Sequence, residues 1–315
     1  MHTVISIVLP LLFIAMTGFL LVRAGIMSAD QINGLAAFLV KIAIPALLVG
    51  SLASLNIREV LERSFMFAYL SIGFTLSVLV WFIVRYGLGR EGASATTAAL
   101  AVAIPNNIIL GYPLSVQVYG DAALPVFAAV ILIENMIYLP LAYLMYESSA
   151  HRGVFKCRTL LTIAWRVAAN PVSMAVAVGL ACAYWGFGLP TDLAQALTML
   201  SSGVTGIALF TIGGTLASAS SAAVSPELGV SVVVRLLIAP LLAVTTSEFI
   251  FGLSDIETGL LTLLCASPCF TILPAISGPY GAGLLGARIQ IVGTVLALIT
   301  LPVVLYYLVV MLPKV

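Results

Sequence analysis

The chain has 315 residues, 62% of them hydrophobic and 8% charged, and a mean hydropathy of +1.19. A soluble protein carries about 25% charged residues, so this composition excludes a dissolved two-domain globule and implies an integral membrane protein. Thirteen Lys and Arg against twelve Asp and Glu leave a net charge of +1, which excludes a basic nucleic-acid binder and an acidic tail.

A helix needs about 20 apolar residues to cross the hydrocarbon core, and the sequence offers ten such runs. The first, 3–22, lacks a basic leading segment and continues to Arg23 without a processing site, so it is expected to be a span rather than a cleaved signal. The others fall at 35–55, 65–85, 94–118, 121–146, 167–187, 193–217, 229–250, 256–280 and 285–311. Ten spans bring both termini to one side. Seven basic residues (Arg23, Arg85, Arg90, Arg152, Lys156, Arg158 and Arg166) occupy one set of loops, against three (Arg58, Arg63 and Lys314) in the other. The positive-inside rule then puts both termini outside. Residues 147–166 become a cytoplasmic connector between halves 1–146 and 167–315.

That midpoint connector invites a search for internal symmetry. Pro10 and Gly18 recur as Pro171 and Gly179, offset by 161 residues, and Tyr119-Gly120 recurs as Tyr280-Gly281 at the same offset. Pro105 in span 4 matches Pro268 in span 9 at an offset of 163. With five spans per half, the second half enters the membrane inverted. Inverted repeats are a signature of secondary transporters. The expected fold is therefore an all-α polytopic membrane protein, built as two inverted five-helix repeats.

Spans 4 and 9 each carry a mid-span proline, which removes a backbone donor and breaks or kinks the helix. Backbone freed at that depth must line a cavity or be buried in protein. Asn106 and Asn107 follow Pro105 and are positioned to cap the next half-helix. Gly111 permits close backbone approach. The amino ends of both second half-helices are expected to carry partial positive charge, suited to an anionic group. The competing expectation is a pair of structural kinks. Ser254 and Glu257 have capping-box spacing and mark the start of span 9.

Few ionisable groups fall inside spans. Glu134, followed by Asn135, lies at the middle of span 5, where a carboxylate must be paired, protonated or hydrated. It is a candidate to carry a coupling proton or to bind Na⁺; the alternative is an interhelical hydrogen bond. Lys41 lies about a third of the way into span 2, suited either to pairing or to snorkelling. Arg235 and Arg288 lie near the ends of spans 8 and 10, where snorkelling is expected. The histidines, His2 and His151, lie outside the apolar runs. Cys157, Cys182, Cys265 and Cys269 are too scattered for a disulfide framework, and the pair Cys265 and Cys269 around Pro268 has no nearby His with which to form a metal site. No catalytic constellation or phosphate-cradling loop is present, so neither an enzyme nor an ATP-driven pump is expected.

The segments GIMSADQINGLAAFLVKIAIPALLVGSLA, IPNNIILGYPLSVQVYGDAA, VRLLIAPLLA and the later P…YGA stretch resemble the auxin efflux carrier family, over essentially the whole chain. The most specific piece is Asn107, then Gly111-Tyr112-Pro113-Leu114 and Tyr119-Gly120. That family includes plant PIN-type auxin exporters and bacterial permeases for malonate and related acids. The resemblance implies a ten-span fold related to sodium–bile acid symporters, with spans 4 and 9 crossing at Pro105 and Pro268. It implies a scaffold of spans 1, 2, 6 and 7, often dimeric, and an elevator domain of spans 3–5 and 8–10. Carried over as substrate contacts are Pro105, Asn106, Asn107 and Gly111, with Pro268, Cys269, Phe270 and Thr271 opposite. The implied ligand is a small organic anion, with no cofactor beyond a coupling proton or Na⁺ near the crossing. The implied setting is the lipid of a bacterial inner membrane. The chain departs from the family in Ile108-Ile109-Leu110, where relatives often have small residues, and in lacking an Asn in span 9. Both departures point to a bulkier or more apolar acid than malonate.

Overall fold

A computed structural model describes residues 2–54, 63–150, 161, 165, 168–218 and 224–311. Arg58, His151, Arg152, Lys156, Cys157, Arg158, Arg166 and Lys314, and with them most of the basic loops and the connector, lie outside the described residues. Within those residues every regular element is a helix, and the β-type pairing is one isolated bridge between Pro105 and Cys269.

In chain order the helices are α1 (His2–Arg23), α2 (Ala29–Leu52), α3 (Ser64–Gly87), α4 (Gly92–Ala103), α5 (Tyr112–Tyr119), α6 (Ala123–Ser149), α7 (Pro171–Trp185), α8 (Thr191–Ala217), α9 (Pro226–Phe251), α10 (Asp255–Ala266), α11 (Leu273–Ser277) and α12 (Gly283–Met311). Among the described residues six of them, α2, α3, α6, α8, α9 and α12, are long and apolar enough to cross a membrane. Shorter apolar stretches lie at Leu12–Arg23, Gly92–Ala103 and Pro171–Trp185.

Local chemistry sets the helix ends. Ser28 and Gln31 close a reciprocal capping box at the start of α2, and Ser254 and Glu257 form the expected one at α10. Asn170 caps α7, Pro171 occupies its first turn, and Gly186 ends it in the left-handed region. Positive-φ glycines recur in register. Gly25 pairs with Gly186 and Gly120 with Gly281 at an offset of 161, and Gly89 with Gly252 at 163. Glycine takes a positive φ without the steric cost that a side chain would add.

The chain groups into two compact units: Met1–Glu62 with Ile108–Ile131 and Ala169–Ser220, and Arg63–Asn107 with Leu132–Ala168 and Ser221–Val315. In the first, α1 packs along α8 and α7 along α2. Gly18 and Gly213 allow the first of these contacts: a Cβ on Gly213 would overlap the carbonyl oxygen of Ala15, and one on Gly18 that of Phe210. Gly213→Ala should therefore destabilise the protein by about 1–3 kcal/mol through overpacking. Gly206→Ala, which adds a methyl to open space in the same helix, should lower the thermal midpoint in detergent little or not at all. Equal midpoints for both variants would contradict the packing account.

In the second unit, α4 packs against α3, α6, α9 and α12, and α10 packs against α9 and α12. Residues 95–107 and 258–270 are buried throughout. Among the described residues the two short helices are thus the most enclosed elements, in keeping with their many Ala, Thr and Leu side chains.

Candidate functional site

Each broken helix stops where its proline requires. A residue before proline is pushed out of the helical region, and Ile104 (φ −114°, ψ 106°) and Ser267 (φ −66°, ψ 142°) are both extended. The two extended stretches then pair antiparallel. The Asn106 amide donates to the Pro268 carbonyl at 2.6 Å, and the Phe270 amide donates to the Ile104 carbonyl at 3.2 Å. Backbone freed by the prolines is thereby satisfied away from water.

Side chains at this crossing form two groups. Asn106 donates its amide N–H to Thr271 Oγ1 at 3.0 Å. Asn107 points elsewhere: its Nδ2 donates to Glu134 Oε1 at 2.8 Å and to the Tyr69 hydroxyl at 3.0 Å, while Tyr69 donates to the same Glu134 oxygen at 2.6 Å. All three are buried, Asn107 at 1% exposure. With Nδ2 committed to the carboxylate, Asn107 Oδ1 is buried and has no hydrogen-bond partner among the described residues. Such an acceptor costs about 1–3 kcal/mol unless something donates to it or coordinates it. Neither Asn caps the second half-helix as the sequence suggests, because Nδ2 is the bonded atom in both and caps accept rather than donate.

Backbone irregularity accompanies these residues. Glu134 opens a π turn, Glu134–Tyr138, and Asn107 opens another, Asn107–Gly111. Single π turns within helices often mark functional positions. Tyr138 closes the first turn and fastens it to α3, donating to the Leu70 carbonyl at 2.8 Å. Gly73 leaves room for that hydroxyl.

The structure thus gathers Pro105, Asn106, Pro268, Cys269, Phe270 and Thr271 at one crossing, several of them through backbone atoms. It joins Asn107 to Glu134, two residues that the sequence assigns to separate roles. Asn135 is buried next to Glu134. Gly111 has an ordinary helical φ of −60°, so its use does not depend on glycine's conformational freedom. Lys41 belongs to the first unit, in the π turn Leu39–Ala43, and is exposed. Cys265 and Cys269 are buried free thiols, and no group of three or more His, Cys, Asp or Glu suited to a metal occurs among the described residues. The second half-helix of span 9 is shorter than expected: α11 has 5 residues before a 3₁₀ turn. The positive helix end is therefore carried by the Asn107–Tyr119 segment and not equally by both.

Two residues bonded at the crossing are missed or misplaced by the sequence reading. Tyr69 sits in an unremarkable apolar run, 65 positions from its partner Glu134. Arg235 does not snorkel; it is 4% exposed and bonded to backbone at the crossing.

The profile of the family described as Membrane transport protein matches residues 3–305. Among known proteins, the chain is 24% identical over 281 residues to a protein of Rhizobium meliloti (strain 1021) provisionally named a malonate transporter, covering 89% of this chain and 88% of that one. It is 24% identical to Auxin efflux carrier component 8 of Arabidopsis thaliana, over 70% of this chain and 73% of the relative. It is 26% identical to the uncharacterized transporter YfdV of Escherichia coli (strain K12), over 74% of each chain.

Proposed function

Because the chain belongs to the Membrane transport protein family, that of the auxin efflux carriers, and is thus an integral membrane transporter and not an enzyme, we propose that it is a secondary carrier of small organic anions working by alternating access. The observation that carries this reading is the antiparallel crossing at Pro105 and Pro268, with Asn106 and Thr271 beside it. Irregular backbone at membrane depth is the usual setting of a transporter's binding site. The names of two relatives support the ligand class, since malonate and auxin are both carboxylic acids.

In this reading Asn106, Thr271 and the backbone around Cys269 and Phe270 hold the substrate, near the amino end of the Asn107–Tyr119 segment. Asn107 is a substrate contact as well, and its amide bond to Glu134 links it to the coupling group of Glu134 and Tyr69. Spans 1, 2, 6 and 7 are the frame, through which the protein dimerises, and spans 3–5 and 8–10 move as an elevator. Support for this division comes from the compact unit holding α1, α2, α7 and α8, which also takes in Ile108–Ile131. The paired positive-φ glycines support two inverted repeats of five spans, with α1, α7 and the two broken spans bringing the six long helices to ten. The bacterial relatives support an inner-membrane setting, and the basic loops support termini outside.

A sodium-coupled symporter of the bile-acid type is the second reading, favoured by the unpartnered Asn107 Oδ1 beside a carboxylate. The two readings separate in a thermal-shift screen of mono- and dicarboxylates, auxin-like aromatics included, with and without Na⁺ and at two pH values. The carrier reading expects stabilisation by at least one carboxylate in either cation. Stabilisation only in Na⁺ selects the symporter, and no response to any carboxylate counts against both.

A further inference from the structure

Arg235 lies in the π turn Val234–Ile238 of α9 and is buried. Its guanidinium gives Nε to the Ser267 carbonyl at 2.8 Å and Nη1 to the Val102 carbonyl at 2.8 Å. Its Nη2 serves the carbonyls of Leu264 at 3.0 Å and Cys265 at 2.7 Å. Val102 is in the last turn of α4, Leu264 and Cys265 are in the last turn of α10, and Ser267 caps that helix. One side chain therefore bonds the carboxyl ends of both half-helices where they stop.

Those ends are chemically demanding. The last carbonyls of a helix have no partner within it, and each end carries a charge of about −0.5. Two ends meeting at a buried crossing sum to about −1, which one guanidinium balances. Burying an unpaired cation costs several kcal/mol, yet each of these four hydrogen bonds goes to a backbone carbonyl oxygen. Only a planar fork with five donors spans four carbonyls on two helices; a lysine ammonium has three donors on one point.

We propose that Arg235 is the fixed counter-cation of the crossing, holding the carboxyl ends of α4 and α10 together and cancelling their negative charge. With that charge cancelled by the protein itself, the positive amino end beginning at Asn107 is left to attract an anion. The preference for an anion rests on the carrier reading above; the capping of the two helix ends does not. Arg235 acts through the backbone it holds and is a positioning residue.

The test is chemical rescue. Arg235→Ala opens a cavity lined by these carbonyls, and its thermal midpoint in detergent should fall by roughly 5–10 °C. Guanidinium chloride at millimolar concentration should restore at least half of that loss in the variant and leave the wild type unchanged. Choline chloride, matched in ionic strength but too large to enter, should restore none. Equal effects of the two salts, or an unshifted midpoint in Arg235→Ala, would overturn the proposal. If Arg235→Ala does not fold, Arg235→Lys carries the test. It keeps the charge but loses the four-carbonyl span, so a lowered midpoint is expected and a wild-type midpoint would overturn the proposal. Carboxylate uptake is measured in parallel and should fall at least tenfold in Arg235→Ala and recover with guanidinium. Rescue of the midpoint with no carboxylate uptake by the wild type would leave the capping intact and refute the anion reading instead.

Discussion

Asn107→Ala will slow saturable carboxylate uptake in proteoliposomes by roughly 10- to 100-fold while leaving a protein that folds and inserts. Among the described residues, the Asn107 amide supplies one of two hydrogen bonds to Glu134 Oε1, and Tyr69 supplies the other. A hydrogen bond to a charged group contributes about 1.5–3 kcal/mol. If it is made differently in the inward- and outward-facing states, its loss slows turnover by roughly 10- to 100-fold. The substitution also removes the unpartnered Oδ1 and with it any donor or ion that acceptor holds. The backbone crossing should survive, because Asn106 and Phe270, not Asn107, make its paired bonds. Initial rates at several substrate concentrations measure the effect. Wild-type uptake in the variant would remove Asn107 from the site.

Glu134→Gln tests coupling rather than binding. Glutamine keeps a carbonyl oxygen able to accept from both Tyr69 and Asn107, so the local geometry is retained and only the charge and the titratable proton are lost. A carboxylate at this depth is costly even when hydrogen-bonded, which makes it a candidate for function by default. Substrate exchange between equal compartments should persist in the variant, while accumulation against a gradient of protons or Na⁺ should collapse to equilibrium. Unaltered accumulation would show that the coupling ion, if there is one, binds elsewhere.

The parts of this site that are legible in sequence are those written in local chemistry. Two prolines at matched positions announce two breaks, and the extended residues before them follow from proline sterics. Ser254 and Glu257 announce the start of α10. What stays hidden depends on contacts between distant segments. Arg235 reads as near a membrane surface because its position is judged from the ends of its own span. No periodicity reveals that the carboxyl ends of α4 and α10 arrive beside it. Tyr69 carries no signal without Glu134 in view. Among the described residues six helices pass on length and apolarity alone, and the two broken spans are missed because each consists of pieces too short to qualify. The five-residue α11 likewise reflects a second break, at the Gly278–Tyr280 turn, that Pro268 does not predict.

The most direct test of the central claim is flux. Purified protein in liposomes, loaded with one carboxylate and offered a radiolabelled one, should show saturable exchange that unlabelled carboxylates inhibit and that Asn107→Ala slows. Tight carboxylate binding without any exchange would mark a membrane receptor and contradict the carrier.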